Sequence, residues 1–115
     1  MKTRLEHVRI NVGDLKAAVK WYEDVLGFKV EARWPQENPN YVHFEREGGA
    51  VFGLMEGFSS TPGRFNFYVD DVDALWSKLQ ARDVNAVEEL FDTAYGSRKF
   101  TITDPDGNEL GFVQG

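Results

Sequence analysis

Polar side chains that could contact a small molecule recur at alternate positions of strand-like segments. His7, Arg9 and Asn11 alternate with apolar residues in one segment, and Arg64 and Asn66 do so in another. Because successive side chains of a β-strand point to opposite faces, each set shares one face of a predicted sheet. Such groups converging in an apolar pocket are typical of a small-molecule site. A merely solvated sheet face would show the same pattern, and Arg9 and Asn11 fit that interpretation well.

No motif for covalent catalysis is evident in this chain of 115 residues. The absence of cysteine excludes a disulfide, a thiolate metal ligand and a cysteine nucleophile. We find no serine–histidine–acid arrangement and no paired carboxylates within a supporting motif. The net charge is −6, and the sequence has neither an apolar run of membrane-spanning length nor a signal peptide. We therefore expect a soluble cytoplasmic protein without nucleic-acid or membrane partners.

The strand–helix unit that carries these residues occurs twice. Residues 12–15 align with residues 69–72 at an offset of 57, and residues 51–57 align with residues 109–115 at an offset of 58. Internal repeats of this kind predict a doubled fold, although two generic strand–helix units could also match by coincidence. We expect one domain over residues 1–115, in which a linker at 58–63 joins the first repeat (1–57) to the second (64–115).

Each repeat has the local signals of a βαβββ unit. Alternating apolar residues predict strands at 5–12, 28–34, 41–46 and 50–56, and at 64–69, 85–90, 98–103 and 109–114. Helical spacing predicts helices at 15–26 and 72–82, with Asp14 and Asp71 as N-caps and Gly27 as a left-handed stop. The pair Gly48 and Gly49 predicts a tight hairpin, and residues 104–108 predict a turn.

These elements predict an α+β fold in which two tandem βαβββ units curl into an open, barrel-like cavity. The apolar face of each sheet would meet its helix, which leaves the other face to line the cavity. The candidate pocket residues are His7, Arg9, Trp34, His43, Gly53, Arg64, Asn66, Tyr95, Arg98, Glu109 and Gly111.

Several short motifs resemble those of the vicinal oxygen chelate superfamily. They are the paired units, His7 at the start of the first strand, the Trp-Tyr pair at 21–22 followed by Leu-Gly-Phe at 26–28, and the turn at 104–108. This superfamily includes glyoxalase I, extradiol dioxygenases, fosfomycin-resistance enzymes and bleomycin-resistance proteins. The resemblance covers essentially the whole chain and is specific for the fold, but it does not specify a reaction.

The resemblance also implies where a metal would be held. Metal-dependent members are similar in placing ligands at the start of the first strand and on the last strand of each repeat. In this sequence those four positions are His7, Gly53, Arg64 and Gly111. Glycine has no side chain and arginine stays protonated, so we expect no metal cofactor. The alternative is a divalent-metal site in a shifted register that gathers His7, His43 and Glu109, or recruits Glu56.

Four other candidates have two interpretations each. Arg64 would bind an anionic ligand or form an internal ion pair with Glu109. Tyr95 begins an aromatic–glycine–x–arginine segment (95–98) that resembles one in bleomycin-resistance proteins, and it would stack on a planar ligand or serve only in packing. Gly53 and Gly111 fit either the floor of a roomy pocket or a close approach of strands.

We therefore expect a metal-independent protein that binds a drug-like or planar small molecule, similar in type to antibiotic-sequestering bleomycin-resistance proteins. The resemblance also implies a homodimer. The alternative is a metal-dependent lyase, isomerase or dioxygenase of the glyoxalase I type, in which the metal would chelate two adjacent substrate oxygens. A regulatory or immunity module with a vestigial pocket is a third interpretation.

Overall fold

Each of the two units of the chain folds as a four-stranded β-sheet with one α-helix packed on it. The structure is a computed structural model that describes residues 1–2, 4–57 and 62–115. It divides into units Met1–Ser60 and Thr61–Gly115. The first contains β1 (His7–Val12), α1 (Leu15–Leu26), β2 (Val30–Trp34), β3 (Tyr41–Phe44) and β4 (Val51–Glu56). The second contains β5 (Arg64–Val69), α2 (Val72–Gln80), β6 (Asn85–Asp92), β7 (Arg98–Thr103) and β8 (Glu109–Gln114).

Both sheets have the same topology. The strand orders are β1-β4-β3-β2 and β5-β8-β7-β6, with the first and last strands of each unit parallel and the other neighbours antiparallel. The predicted α+β class and the tandem βαβββ units are therefore confirmed. The single-domain organisation stays a prediction, and residues 58–61 of the predicted linker lie outside the described residues.

The helix-facing side of each sheet carries the core. In the first unit, the Tyr22 ring packs on Phe44 and Phe52 at centroid distances of 5.4 and 5.9 Å. In the second unit, Phe100 lies 5.0 Å from Trp76 and 5.3 Å from Phe112. Burying one such side chain stabilises a fold by roughly 1.5–3 kcal/mol. The apolar alternation in the strands therefore fixes which face of each sheet is left for polar side chains.

The N-terminus of each helix is bonded to the last strand of its own unit. The Leu15 amide donates to Glu56 Oε2 at 3.0 Å, and the Val72 amide donates to Gln114 Oε1 at 2.9 Å. The predicted N-caps are confirmed as well, since Asp14 accepts from the amide of residue 17 and Asp71 from that of residue 74. These bonds satisfy amides that the helix leaves unpaired. The carboxylate of Glu56, the alternative metal ligand, is thus engaged in capping α1.

Most element boundaries agree with the prediction within two residues, and the differences have local causes. β1 begins at His7 because the ladder to β4 starts there, and the preceding Leu5 is exposed. β2 begins at Val30 because the Phe28 amide donates to the Tyr22 carbonyl and so belongs to the end of α1. β6 continues to Asp92 because its last residues pair with β7.

Within the described ranges, no helix is both long and apolar enough to cross a membrane.

The equivalence of Glu56 and Gln114 predicts the outcome of two substitutions. Glu56→Ala should lower the free energy of unfolding by about 1 kcal/mol, because the Leu15 amide loses its acceptor. Glu56→Gln should lower the free energy of unfolding by only a few tenths of a kcal/mol. The Gln114 amide oxygen already accepts the equivalent hydrogen bond in the second unit, so a glutamine can cap α1 as well. Urea unfolding of both variants measures the difference. Equal losses for the two would contradict the capping interpretation.

Candidate functional site

A chain of hydrogen bonds crosses the open face of the first sheet. The Tyr41 hydroxyl lies 2.8 Å from His7 Nε2 and 3.0 Å from His43 Nδ1, and His43 Nε2 lies 3.2 Å from Glu31 Oε1. With neutral imidazoles and an ionised Glu31, the assigned directions are His43 Nε2 to Glu31, the Tyr41 hydroxyl to His43 Nδ1, and His7 Nε2 to the Tyr41 hydroxyl. Burial raises the pKa of the Tyr41 hydroxyl, against the opposing charge of Arg9.

Gly53 lies directly under the Tyr41 side chain. A Cβ atom at Gly53 would come within 2.7 Å of the ring carbon Cε2 and the hydroxyl oxygen of Tyr41. In the second unit, a Cβ atom at Gly111 would collide with the Asn66 amide. Within its own unit, each glycine therefore lies under a neighbouring side chain.

Arg64 lies on the corresponding face of the second sheet and is held by two carboxylates. Its guanidinium donates to Glu109 Oε1 at 2.6 Å and to Glu88 Oε1 at 2.8 Å. The ion pair predicted between Arg64 and Glu109 is thus present. Glu88 Oε1 also accepts from the Thr101 hydroxyl at 2.6 Å. That hydrogen bond first, and the one from Arg64 next, hold the pKa of Glu88 below its ordinary value in spite of partial desolvation.

Two adjoining open clefts lie in the second unit. One has a volume of about 380 Å³ and the other about 200 Å³. Tyr68, Ser97 and Val113 line both. Tyr68 is 83% exposed, and Tyr95, which lines the smaller cleft, is 76% exposed. Two exposed aromatic rings beside an apolar floor can contact a flat ligand. We call this combined feature the tyrosine cleft.

Arg98 lies at the rim of the tyrosine cleft but is occupied. Its guanidinium donates to Asp73 of α2 at 2.9 Å and lies 3.1 Å from Asp92 Oδ1. Hydrogen bonds to Asp73 and then Asp92 raise the pKa of Arg98, and Arg98 in turn lowers the pKa of Asp73. Two carboxylates therefore neutralise this cation, which leaves it little capacity to attract an anionic ligand.

Comparison with known proteins assigns the chain to a family. A family model described as the Glyoxalase/Bleomycin resistance protein/Dioxygenase superfamily matches residues 4–112. The chain belongs to this superfamily.

Two individual proteins and one solved structure also match over nearly the full length. The Bacillus subtilis strain 168 protein YwbC is 30% identical over 99% of this chain and 99% of its own length. The lactoylglutathione lyase of Haemophilus influenzae is 27% identical over 94% of this chain and 90% of that enzyme. The crystal structure of TnmS3, an antibiotic binding protein from Streptomyces sp. CB03234, has a TM-score of 0.81 and 26% identity, covering 98% of this chain and 96% of TnmS3.

The residues at the implied metal positions do not fit a divalent cation. His7 is bonded to Tyr41, Gly53 and Gly111 have no side chain, and Arg64 is a cation. The shifted set of His7, His43 and Glu109 is no better, because both imidazoles bond to one phenol and Glu109 bonds to Arg64. In the described part of the chain, no three His, Cys, Asp or Glu side chains are grouped closely enough to hold a metal ion.

The predicted pocket residues other than Gly53 and Gly111 fall into four sets. Asn66, Tyr95 and Arg98 line the tyrosine cleft. His7 and His43 join the Tyr41 chain, while Arg64 and Glu109 form the ion pairs. Arg9 and Trp34 are exposed in the first unit.

Tyr68 and Lys99 are among the residues of the tyrosine cleft that the predicted pocket set lacks. The signal for Tyr68 was its position two residues after Asn66 on the same face of β5. Lys99 has the same alternation with Phe100, which is buried on the helix side. The residues beside Lys99 on the neighbouring strands can be identified only once the strand register is known.

The lowered pKa of Glu88 predicts a pH dependence of stability. Because its pKa in the folded protein is below the ordinary 4.5, the stabilisation is present above pH 4.5 and is lost as the pH falls through the folded value. Glu88→Gln should therefore lower the free energy of unfolding by about 1 kcal/mol or less at pH 7, with a smaller difference at acid pH. Urea unfolding at pH 7 and at acid pH measures the loss in the free energy of unfolding. Glu89→Gln, a change at the exposed neighbouring residue, is the control. A pH-independent difference would exclude this explanation.

Proposed function

We propose that this member of the superfamily binds a small organic molecule reversibly and without a divalent metal. The observation that carries the proposal is that the charges and hydrogen bonds at the implied metal positions are already used within the protein. Arg64 pairs with Glu109 and Glu88, and Tyr41 covers Gly53 and bonds His7. A cation would have to displace an arginine and a phenol before it gained carboxylate ligands.

The tyrosine cleft supports noncovalent binding of a flat ligand. The rings of Tyr68 and Tyr95 are exposed, and Val113 provides an apolar floor between polar groups at Asn66 and Ser97. Such binding uses aromatic contact and desolvation and requires no nucleophile. The similarity to the antibiotic binding protein TnmS3 favours a drug-like ligand, and sequestration of such a compound would confer resistance. A cytoplasmic location and a homodimer complete the proposal.

The competing function is a metal-dependent lyase of the glyoxalase I type. The similarity to the Haemophilus influenzae lactoylglutathione lyase favours it. It requires a tightly bound divalent ion, whereas the proposed binder requires none. Metal stoichiometry therefore separates the two functions before any ligand is known.

Equilibrium dialysis should detect well below one equivalent of tightly bound nickel, zinc, manganese or iron(II) in the purified protein. The reason is the lack of free carboxylate or imidazole ligands at the four implied positions. Elemental analysis after dialysis gives the stoichiometry. A bound equivalent that disappears in Glu109→Gln would overturn the metal-independent proposal and support the lyase.

A thermal-shift screen with planar aromatic compounds should identify ligands that raise the melting temperature. Tyr68→Ala and Tyr95→Ala should each weaken binding by about 3- to 10-fold, because each removes an exposed aromatic contact. Tyr95→Phe should bind normally, since the ring is retained. Val87→Ala, an exposed apolar change in the same unit, is the control. Protection that persists in both tyrosine variants would place the site elsewhere.

A further inference from the structure

Lys99 is nearly buried although it belongs to the face of the sheet that carries the tyrosine cleft. Its exposed fraction is 6%. Lys99 of β7 pairs with Val113 of β8, and Val113 pairs with Tyr68 of β5. These three residues thus form one row across the sheet, and all three line the smaller cleft. The lysine therefore lies at the base of the cleft, beside its exposed aromatic rings.

The ammonium group of Lys99 has hydrogen-bonding capacity that the protein does not use. Its Nζ atom lies 3.6 Å from Glu88 Oε1, which is beyond hydrogen-bond length. That same oxygen already accepts short hydrogen bonds from Arg64 and Thr101. Among residues 1–2, 4–57 and 62–115, no side chain or carbonyl accepts a hydrogen bond from Lys99. An ammonium carries three donors, so these donors are available to a ligand in the cleft.

The residue of the first unit that is equivalent to Lys99 has its hydrogen bonds occupied within the protein. Tyr41 pairs with Met55 of β4 as Lys99 pairs with Val113 of β8, so the two side chains occupy matching positions of the repeats. The Tyr41 hydroxyl is bonded to both His7 and His43. Its hydrogen bonds are thus used within the protein, whereas those of Lys99 are not. The second unit is therefore the one equipped to bind a polar group of a ligand.

We propose that Lys99 selects planar ligands that carry an oxygen acceptor, such as a carbonyl or carboxylate, at the edge of an aromatic ring system. The inference rests on the proposed ligand-binding function and names its ligand class. The ring system lies against Tyr68 and Tyr95 above Val113, and the acceptor points to the Lys99 ammonium. The Lys99 ammonium has an ion pair with Glu88 but no hydrogen-bond acceptor among the described residues, so a ligand that supplies an acceptor is favoured over one of the same shape that does not.

Three naphthalene compounds that share one ring system test the preference. 2-Naphthoate has a charged acceptor, 2-naphthamide has a neutral carbonyl, and 2-naphthylmethylammonium has donors only. Isothermal titration calorimetry should find the first two bound about tenfold or more tighter than the third. Equal affinities for all three, or tighter binding of the ammonium compound, would overturn the inference.

Substitution of Lys99 tests the assigned residue. Lys99→Met should bring the three affinities to within about twofold of one another, while Lys99→Arg should retain the preference, since it restores donors. Lys78→Met, which removes the same charge from an exposed position on α2, should behave as the parent protein. Arg64 and Thr101 still hold Glu88 in Lys99→Met, so we expect that variant to fold. Full preference in Lys99→Met would overturn the assignment.

Nitrogen-15 NMR of the lysine ammonium groups gives a second readout that needs no variant. Addition of 2-naphthoate should shift the Lys99 signal and leave that of Lys78 unchanged, whereas an unmoved Lys99 signal at saturation would overturn the inference. Tyr68→Ala distinguishes a failure of the acceptor preference from a failure of ligand binding itself. If it weakens all three compounds while Lys99→Met changes no preference, the binding function stands and the acceptor inference fails. If no aromatic compound binds the parent protein, the proposed function itself fails.

Discussion

The parallel pairing of the first and last strands is the constraint on which each unit depends. It brings β4 beside β1 and β8 beside β5, so residues some 45 positions apart in sequence become neighbours, as Arg64 and Glu109 do. A helix that follows the first strand must then begin next to the end of the last one. The capping bonds from Glu56 and Gln114 use this closeness. Helix, strand pair and polar face are therefore fixed together, and none can be altered alone.

This constraint gives the two units one scaffold with two different polar faces. On the first face, imidazole, phenol and carboxylate bond to one another in a single directed chain. On the second, two carboxylates neutralise Arg64, and Glu88 Oε1 is shared among three donors or cations. Charges that neutralise each other within a sheet face have little reach toward solvent. Shape and aromatic surface then contribute more to recognition than net charge, which agrees with the exposed rings of the tyrosine cleft.

The sequence was sufficient for the fold because its signals are local. Strand alternation and the aspartate caps depend on residues close in the chain, and each repeat carries its own copy of these signals. The structure confirms the caps and the doubled topology. The site was harder to predict from the sequence, because the partners of Arg98 and Lys99 come from other elements. The space above Gly53 depends on where a tyrosine from a neighbouring strand lies. Composition gives no information on such a contact. The strand register shows which residues are neighbours of Tyr41, but it does not give the rotamer of the Tyr41 side chain.

The contact between Tyr41 and Gly53 has an evolutionary consequence. A substitution that introduces a side chain at residue 53 meets the phenol ring before it can reach any ion, so it is unfavourable while Tyr41 is present. Removing Tyr41 first deprives both histidines of their shared partner. A side chain at residue 53 therefore requires Tyr41 to move or to be replaced, so the two positions are coupled. In the second unit, Asn66 opposes substitution at Gly111 in the same manner. Epistasis of this kind predicts that a side chain at residue 53 or residue 111 is accepted only together with a change in the neighbouring Tyr41 or Asn66 side chain.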